Sequence, residues 1–161
     1  MKRITQLLAF SLFCTLIIFT ACKKKKSSTK EDIRDAAGAA LSKTWTVTSV
    51  TKDTEPREEW ELFTIGFTYN AESDMGGYSV SNVPANEGAA DVWGSGVSWS
   101  FGGTEDSPDT GVIVRSDIGN MNATTDDPTN PTTLVLTFSI TDASARVAGF
   151  NGEWVFTLEA Q

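Results

Sequence analysis

The chain has 161 residues, two cysteines and no histidine, and its formal net charge is −8. Seven of its 13 basic residues precede Glu31, which leaves six against 21 acids from there on, a net charge of −15. A domain this acidic repels phosphate backbones, which argues against nucleic acid as a partner. The lack of histidine excludes a Ser/His/Asp triad and the usual zinc sites.

The N-terminus has the pattern of an export signal. A basic start is followed by an apolar stretch at 7–19, too short to span a bilayer, and then by Ala21 and Cys22. This order resembles the lipobox of bacterial lipoproteins, which implies cleavage before Cys22 and a diacylglyceryl group on its thiol. We therefore expect a signal peptide at 1–21 and a protein anchored by lipid, without a spanning helix, in the outer membrane of a bacterial envelope.

A short tether is expected at 22–30, where four lysines at 23–26 would lie near anionic headgroups. Some Bacteroidota lipoproteins carry an acidic surface-export signal just after the cysteine. Here the first acids, Glu31 and Asp32, follow the lysines, so we expect the protein to face the periplasm. Cys14 lies within the signal and Cys22 would be acylated, so the domain at 31–161 has no disulfide.

A short amphipathic helix is predicted to lead into this domain. Ser28 and Glu31 have the spacing of a capping box. Apolar residues then recur at intervals of three and four, namely Ile33, Ala36, Ala37, Ala40 and Leu41.

The remainder alternates between apolar and polar residues, which is typical of strands with one buried face. At least seven such segments, with turn residues between them, predict an all-β fold, an antiparallel barrel or sandwich. The alternating sets are Trp45, Val47 and Ser49; Phe63, Ile65, Phe67 and Tyr69; Tyr78 and Val80; Val97, Trp99 and Phe101; Val112 and Val114 beside Ile113 and Arg115; Leu134, Leu136, Phe138 and Ile140; and Trp154, Phe156 and Leu158.

Four segments, at 41–47, 93–101, 134–138 and 146–156, resemble small Bacteroidota lipoproteins with a lipocalin-like domain. The resemblance implies a barrel-like fold over 31–161 and leaves the ligand open. Long connections are expected at 83–94, 102–111 and 117–132, and loops of this length often carry binding functions.

No catalytic residues, metal site or cofactor are predicted. Neighbouring carboxylates such as Asp126 and Asp127 would point to opposite faces of a strand, whereas glycoside hydrolysis needs two carboxyls across a cleft. Loop acids at 105–109 and 126–127 have oxygen ligands that suit Ca²⁺, but their spacing does not match the EF-hand. Whether these acids bind calcium or are simply solvated is left open.

Five tryptophans are the last signal. Trp45, Trp99 and Trp154 lie on apolar faces, whereas Trp60 and Trp93 lie outside the alternation. These two are either further core residues or the aromatic part of a ligand site. The function we expect is a non-catalytic binding module for a small apolar molecule or a glycan. The alternative is an accessory lipoprotein that holds a protein partner in the envelope.

Overall fold

The computed structural model describes residues 33–85, 88–141 and 149–161. The signal peptide, Cys22, the tether and the capping-box residues lie outside these ranges. The helices and strands are α1 Ile33–Leu41, β1 Thr44–Lys52, β2 Glu55–Pro56, β3 Thr64–Asn70, β4 Met75–Ser81, α2 Ala89–Val92, β5 Ser98–Gly103, β6 Pro108–Arg115, β7 Gly119–Thr125, β8 Thr133–Ile140 and β9 Gly152–Ala160.

The strands form one antiparallel sheet that closes on itself. Each strand from β3 to β9 pairs with the next along the chain, and β1 pairs with both β3 and β9. β2 is an additional two-residue strand that pairs with the end of β1. The result is a closed eight-stranded up-and-down barrel, the architecture of lipocalins. The predicted all-β, lipocalin-like fold is thereby confirmed.

The barrel interior is filled by the alternating apolar residues. Tyr69, Tyr78 and Val80 are half-buried and pack against the core. The sequence places Ser49 on the face of Trp45 and Val47, but an irregularity in the β1–β9 pairing between Val47 and Ser49 turns Val50 inward instead. The predicted residues that are buried are Trp45, Val47, Phe63, Ile65, Phe67, Val97, Trp99, Phe101, Leu134, Leu136, Phe138, Ile140, Trp154, Phe156 and Leu158.

Two of the three predicted long loops are shorter in the structure. The segment at 117–132 contains β7, which pairs with both β6 and β8. Met121 is the one fully buried hydrophobic side chain of β7, so the sequence of this strand does not show the alternation of apolar and polar residues that predicts a strand. The segment at 102–111 is largely strand as well, because β5 continues to Gly103 and β6 begins at Pro108.

Helix α1 confirms the predicted helix and reveals the reason for its glycine. Gly38 is buried against the ring of Tyr69, and a Cβ at this position would overlap that ring. The predicted buried face of α1 is therefore partly wrong. Gly38, which the prediction left out, is buried, whereas Ile33 and Ala36, which it included, are exposed.

Gly38→Ala is therefore expected to destabilise the domain by about 1 to 3 kcal/mol, the usual cost of overpacking a core. Helix propensity alone favours alanine by about 1 kcal/mol and predicts the opposite sign. The urea midpoint of unfolding distinguishes the two. Ala39→Gly, at an exposed position of the same helix, measures the propensity effect without the contact to Tyr69. A higher midpoint for Gly38→Ala would contradict the packing argument.

Candidate functional site

Two tryptophans close one end of the barrel, the end at which β4, β6 and β8 finish. Trp60 lies in a 3₁₀ turn at Glu58–Trp60, and Trp93 directly follows α2. The exposed fractions of these side chains are 0% and 1%. Both rings therefore act as plugs for this end, which we call the mouth.

The rings of the mouth form one aromatic cluster. The ring centroid of Phe156 lies 5.3 Å from that of Trp60 and 5.4 Å from that of Trp93. Phe63 contacts the same two tryptophans, at 5.4 and 5.6 Å. The two residues that the sequence left as core or ligand site are therefore core residues in this structure, and they offer no exposed face for stacking. Strand alternation does not reveal their burial, because both lie in or beside single helical turns.

Arg115 is a buried cation that the sequence interpretation missed. Its side chain is fully buried. Its Nε donates to Oδ1 of Asp117 at 3.0 Å, and its Nη2 donates to Oδ2 at 2.7 Å. Nη2 also donates to the carbonyl of Val92 at 3.1 Å and to the hydroxyl of Tyr78 at 3.0 Å. One signal was available, since Arg115 is the only basic residue between Arg57 and Arg146.

The guanidinium group also lies among aromatic rings. Its Cζ is 4.4 Å from the ring centroid of Trp93, 5.3 Å from that of Tyr78 and 5.5 Å from that of Phe138. Such cation–π contacts are stronger in a desolvated site than on a surface. Arg115 therefore fastens α2 and its plug to the strands, through the Val92 carbonyl and the Trp93 ring.

Three donors at the mouth have no hydrogen-bond partner among the described residues. They are Nε1 of Trp60, Nε1 of Trp93 and Nη1 of Arg115. The other three indoles are satisfied, since Trp45, Trp99 and Trp154 donate to the carbonyls of Leu41, Gly77 and Phe150 at 3.1, 3.0 and 2.9 Å. Buried polar groups are almost always paired, so these three donors are exceptions even at the mouth, where Trp154 lies 5.8 Å from Trp60 between ring centroids and is paired.

Burial raises the pKa of Tyr78 to about 12, the nearby Arg115 lowering it and the Asp117 carboxylate raising it. The folded state therefore favours the neutral phenol over the phenolate. Its contribution to stability is therefore complete below the ordinary pKa of about 10 and is lost as the pH rises through about 12. In an alkaline absorbance titration at 295 nm, we expect a component near pH 12 that is missing from Tyr78→Phe. A normal midpoint near 10 for that component would contradict the burial of the hydroxyl.

A cleft of about 520 Å³ lies beside the plug. Part of its wall is α2 and the residues that follow it, and the rest comes from the β6–β7 turn, the end of β8 and the approach to β9. The lining residues are Ala90, Asp91, Gly94, Ser95, Val97, Asp117, Ile118, Ser139, Ile140, Thr141, Phe150 and Asn151. Ligand pockets for small molecules typically measure about 300 to 1,000 Å³, so the cleft is large enough for one.

The lining of the cleft contains charged, polar and apolar side chains. The charged members of that lining are the carboxylates of Asp91 and Asp117. Asp117 is already paired with Arg115 and accepts the backbone N–H of Ile118, whereas Asp91 makes no side-chain hydrogen bond within the described ranges. Hydroxyl and amide groups alternate with apolar side chains on the remaining wall. The cleft can therefore accept hydrogen bonds at its rim and bury an apolar group at its floor.

The acidic loops do not form a metal site in the described part of the chain, where no three acidic, histidine or cysteine side chains come together. Asp126 instead accepts hydrogen bonds from the Thr132 hydroxyl and from the backbone N–H groups of Thr132 and Thr133, and these hold its pKa at about 2. Asp127 accepts three such bonds from Thr129 and Asn130. These carboxylates therefore stabilise their own loop.

None of the helices within the described ranges combines the length and the apolar character needed to cross a bilayer. Comparison of the chain with protein-family models, with curated proteins and with solved structures gave no match.

Proposed function

We propose that this chain is a lipid-anchored protein of the bacterial envelope that binds a small glycan in the cleft beside the barrel mouth. The anchor is the acylated Cys22 expected from the lipobox pattern. The role is binding without catalysis. The observation that carries the proposal is the cleft itself, with its volume and its mixture of polar rim and apolar floor.

A glycan fits this cleft better than a purely apolar molecule. The barrel interior, where an apolar ligand would be expected, is occupied at the mouth by Trp60, Trp93 and Phe156. The cleft outside it carries carboxylate, hydroxyl and amide groups at Asp91, Ser139 and Asn151. An apolar ligand would leave these groups without partners, whereas sugar hydroxyls can donate to and accept from them.

Native purification of the lipidated protein in mild detergent, followed by mass spectrometry of the bound material, tests the proposal. We expect a glycan that is lost from Ala90→Trp, in which an indole fills the cleft from an exposed position. Ala39→Trp, on the exposed face of α1, is the matched control and should retain the glycan. Equal retention by both variants would contradict the site. A fixed protein partner without any glycan would favour the accessory role.

The anchor has its own prediction. Cys22→Ser removes the thiol that would receive the lipid, so we expect the variant to be absent from the lipidated outer-membrane fraction, whereas Cys14→Ser, inside the signal, should leave that fraction unchanged. Metabolic labelling with a radioactive fatty acid and fractionation at high salt measure this directly. Label on the Cys22→Ser variant would show that the lipid is attached elsewhere.

A further inference from the structure

We propose that the glycan bound in this cleft carries a free amino group, which is protonated and pairs with the carboxylates of Asp91 and Glu153. This inference rests on the proposed function, because it names the ligand class of the same site.

The first observation is the sign of the charges that line the cleft. The charged residues of the lining are Asp91 and Asp117, and none of the lining residues within the described ranges is basic. The Asp117 carboxylate is already paired with Arg115. Asp91 is exposed on α2, and its carboxylate has no hydrogen bond or ion pair in the described part of the chain. The cleft therefore has an uncompensated negative charge at Asp91.

A second carboxylate lies beside the rim on the opposite element. The β8–β9 register places Ser139, which lines the cleft, directly opposite Glu153. Residues opposite each other in an antiparallel pair share one face of the sheet, with Cβ atoms about 4.5 to 5.5 Å apart. The backbone N–H of Glu153 donates to Asp53 at 2.8 Å, whereas its exposed carboxylate has no partner among the described residues. Negative charge is therefore present on both the α2 side and the β9 side of the cleft.

The basic side chains around the cleft do not compensate these two carboxylates, because each of them is paired with another acid. The pairs are Lys52 with Asp53, Arg57 with Glu59 and Arg115 with Asp117. Arg57 also lies 5.8 Å over the ring of Phe150, at the floor of the cleft. Asp91 and Glu153 are therefore the unbalanced charges of this region, in a domain whose net charge from Glu31 onward is −15.

This charge distribution selects among classes of glycan. An acidic sugar would be repelled by the two carboxylates and by the field of the whole domain. A protonated amine is attracted, and it brings three N–H donors for carboxylate oxygens. The apolar face of the sugar ring would then contact the floor at Val97, Ile140 and Phe150. An amino sugar with a free amine fits the polar rim, the apolar floor and the charge together.

Isothermal titration of the full lipidated protein in a non-ionic detergent at low salt tests the inference with three trisaccharides. The chitosan trimer carries free amines, triacetylchitotriose carries the same amines in acetylated, uncharged form, and cellotriose carries hydroxyls in their place. At about pH 5.5, we expect the amine trimer to bind at least about fivefold more tightly than the other two, the upper range for one exposed ion pair. At about pH 8 the ligand amines are neutral while ordinary carboxylates stay ionised, so the preference should disappear.

Asp91→Asn and Glu153→Gln each remove one charge and keep the shape of the side chain. Each should lower the preference at about pH 5.5 by at least about twofold. Glu159→Gln is the matched control, because Glu159 is exposed on the same strand and the same face as Glu153 and lies six residues away, roughly 20 Å. It should keep the preference. Thermal melts verify that the three variants are folded.

The glycan from native purification gives an independent reading. Selective N-acetylation in aqueous bicarbonate should increase its mass by at least one acetyl group, because it carries a free amine. A native glycan whose mass is unchanged by this treatment would overturn the amine assignment.

Failure of this inference and failure of the proposed function are distinguishable. Equal binding of the three trimers at about pH 5.5, abolished for all of them by Ala90→Trp, would overturn the amine assignment and support a glycan site. A preference that Glu159→Gln lowers as much as Asp91→Asn does would show general attraction by the acidic domain and overturn the role of these two carboxylates. If no trimer binds and native purification yields no glycan, the glycan function itself is wrong.

Discussion

Asp117→Asn is expected to lower the free energy of unfolding by about 3 kcal/mol, the low end of the cost of removing one partner of a buried ion pair, because Arg115 is fully buried whereas the Asp117 side chain is 28% exposed. Asp117 receives both charge-assisted hydrogen bonds of the Arg115 guanidinium. Asparagine has the same shape, but it leaves the buried cation without a counter-charge. Urea denaturation monitored by circular dichroism measures the loss.

The double variant Arg115→Met with Asp117→Asn distinguishes the loss of the ion pair from other destabilising effects of the Asp117 substitution. Because it removes the cation as well, it should be more stable than Asp117→Asn alone. Asp106→Asn, at an exposed acid of the β5–β6 loop, should change stability by less than about 0.5 kcal/mol. Arg115→Met alone completes the cycle, and a double variant that loses the full sum of the effects of Arg115→Met and Asp117→Asn would show that the pair is not coupled.

The barrel could be predicted from the sequence because each of its strands has one apolar face in the core and one more polar face toward solvent. The run from Leu134 to Ile140 alternates strictly, and all four of its predicted inward residues are buried. Alternation fails where a strand lacks large side chains, as in β7 with Met121, and where the register slips, as between Val47 and Ser49. No residue near β7 or near the irregularity in β1 indicates the strand or the change in register strongly enough to override a prediction based on apolar–polar alternation.

The candidate site could not be predicted, because its residues are distant in the chain. Arg115 joins β6 to the carbonyl of Val92 and to Tyr78 on β4, and the resulting cleft extends to Asn151. Only closure of the barrel brings these positions together. Within the sequence, Trp60 and Trp93 were correctly separated from the strand tryptophans, but being outside the alternation did not mean being exposed. Their burial depends on helical turns that fold back over the mouth.

Trp60→Ala and Trp93→Ala are each expected to lower the free energy of unfolding by about 3 to 5 kcal/mol, the usual range for a buried tryptophan. Both rings are almost completely buried, and each contacts Phe63 and Phe156. Trp93→Ala also removes the ring nearest to Arg115. The loss should be visible as a fall of several degrees in the melting temperature.

Leu62→Ala provides the control for these variants, because it truncates a large apolar side chain that is 69% exposed and lies two residues from Trp60. It should change the stability by less than about 0.5 kcal/mol. If Trp60→Ala and Trp93→Ala melt at the wild-type temperature, these rings do not hold the mouth closed. They would then be free to carry a ligand directly. If only Trp93→Ala is destabilised, the plug is the α2 segment alone, and Trp60 fills a part of the mouth that relaxes after truncation.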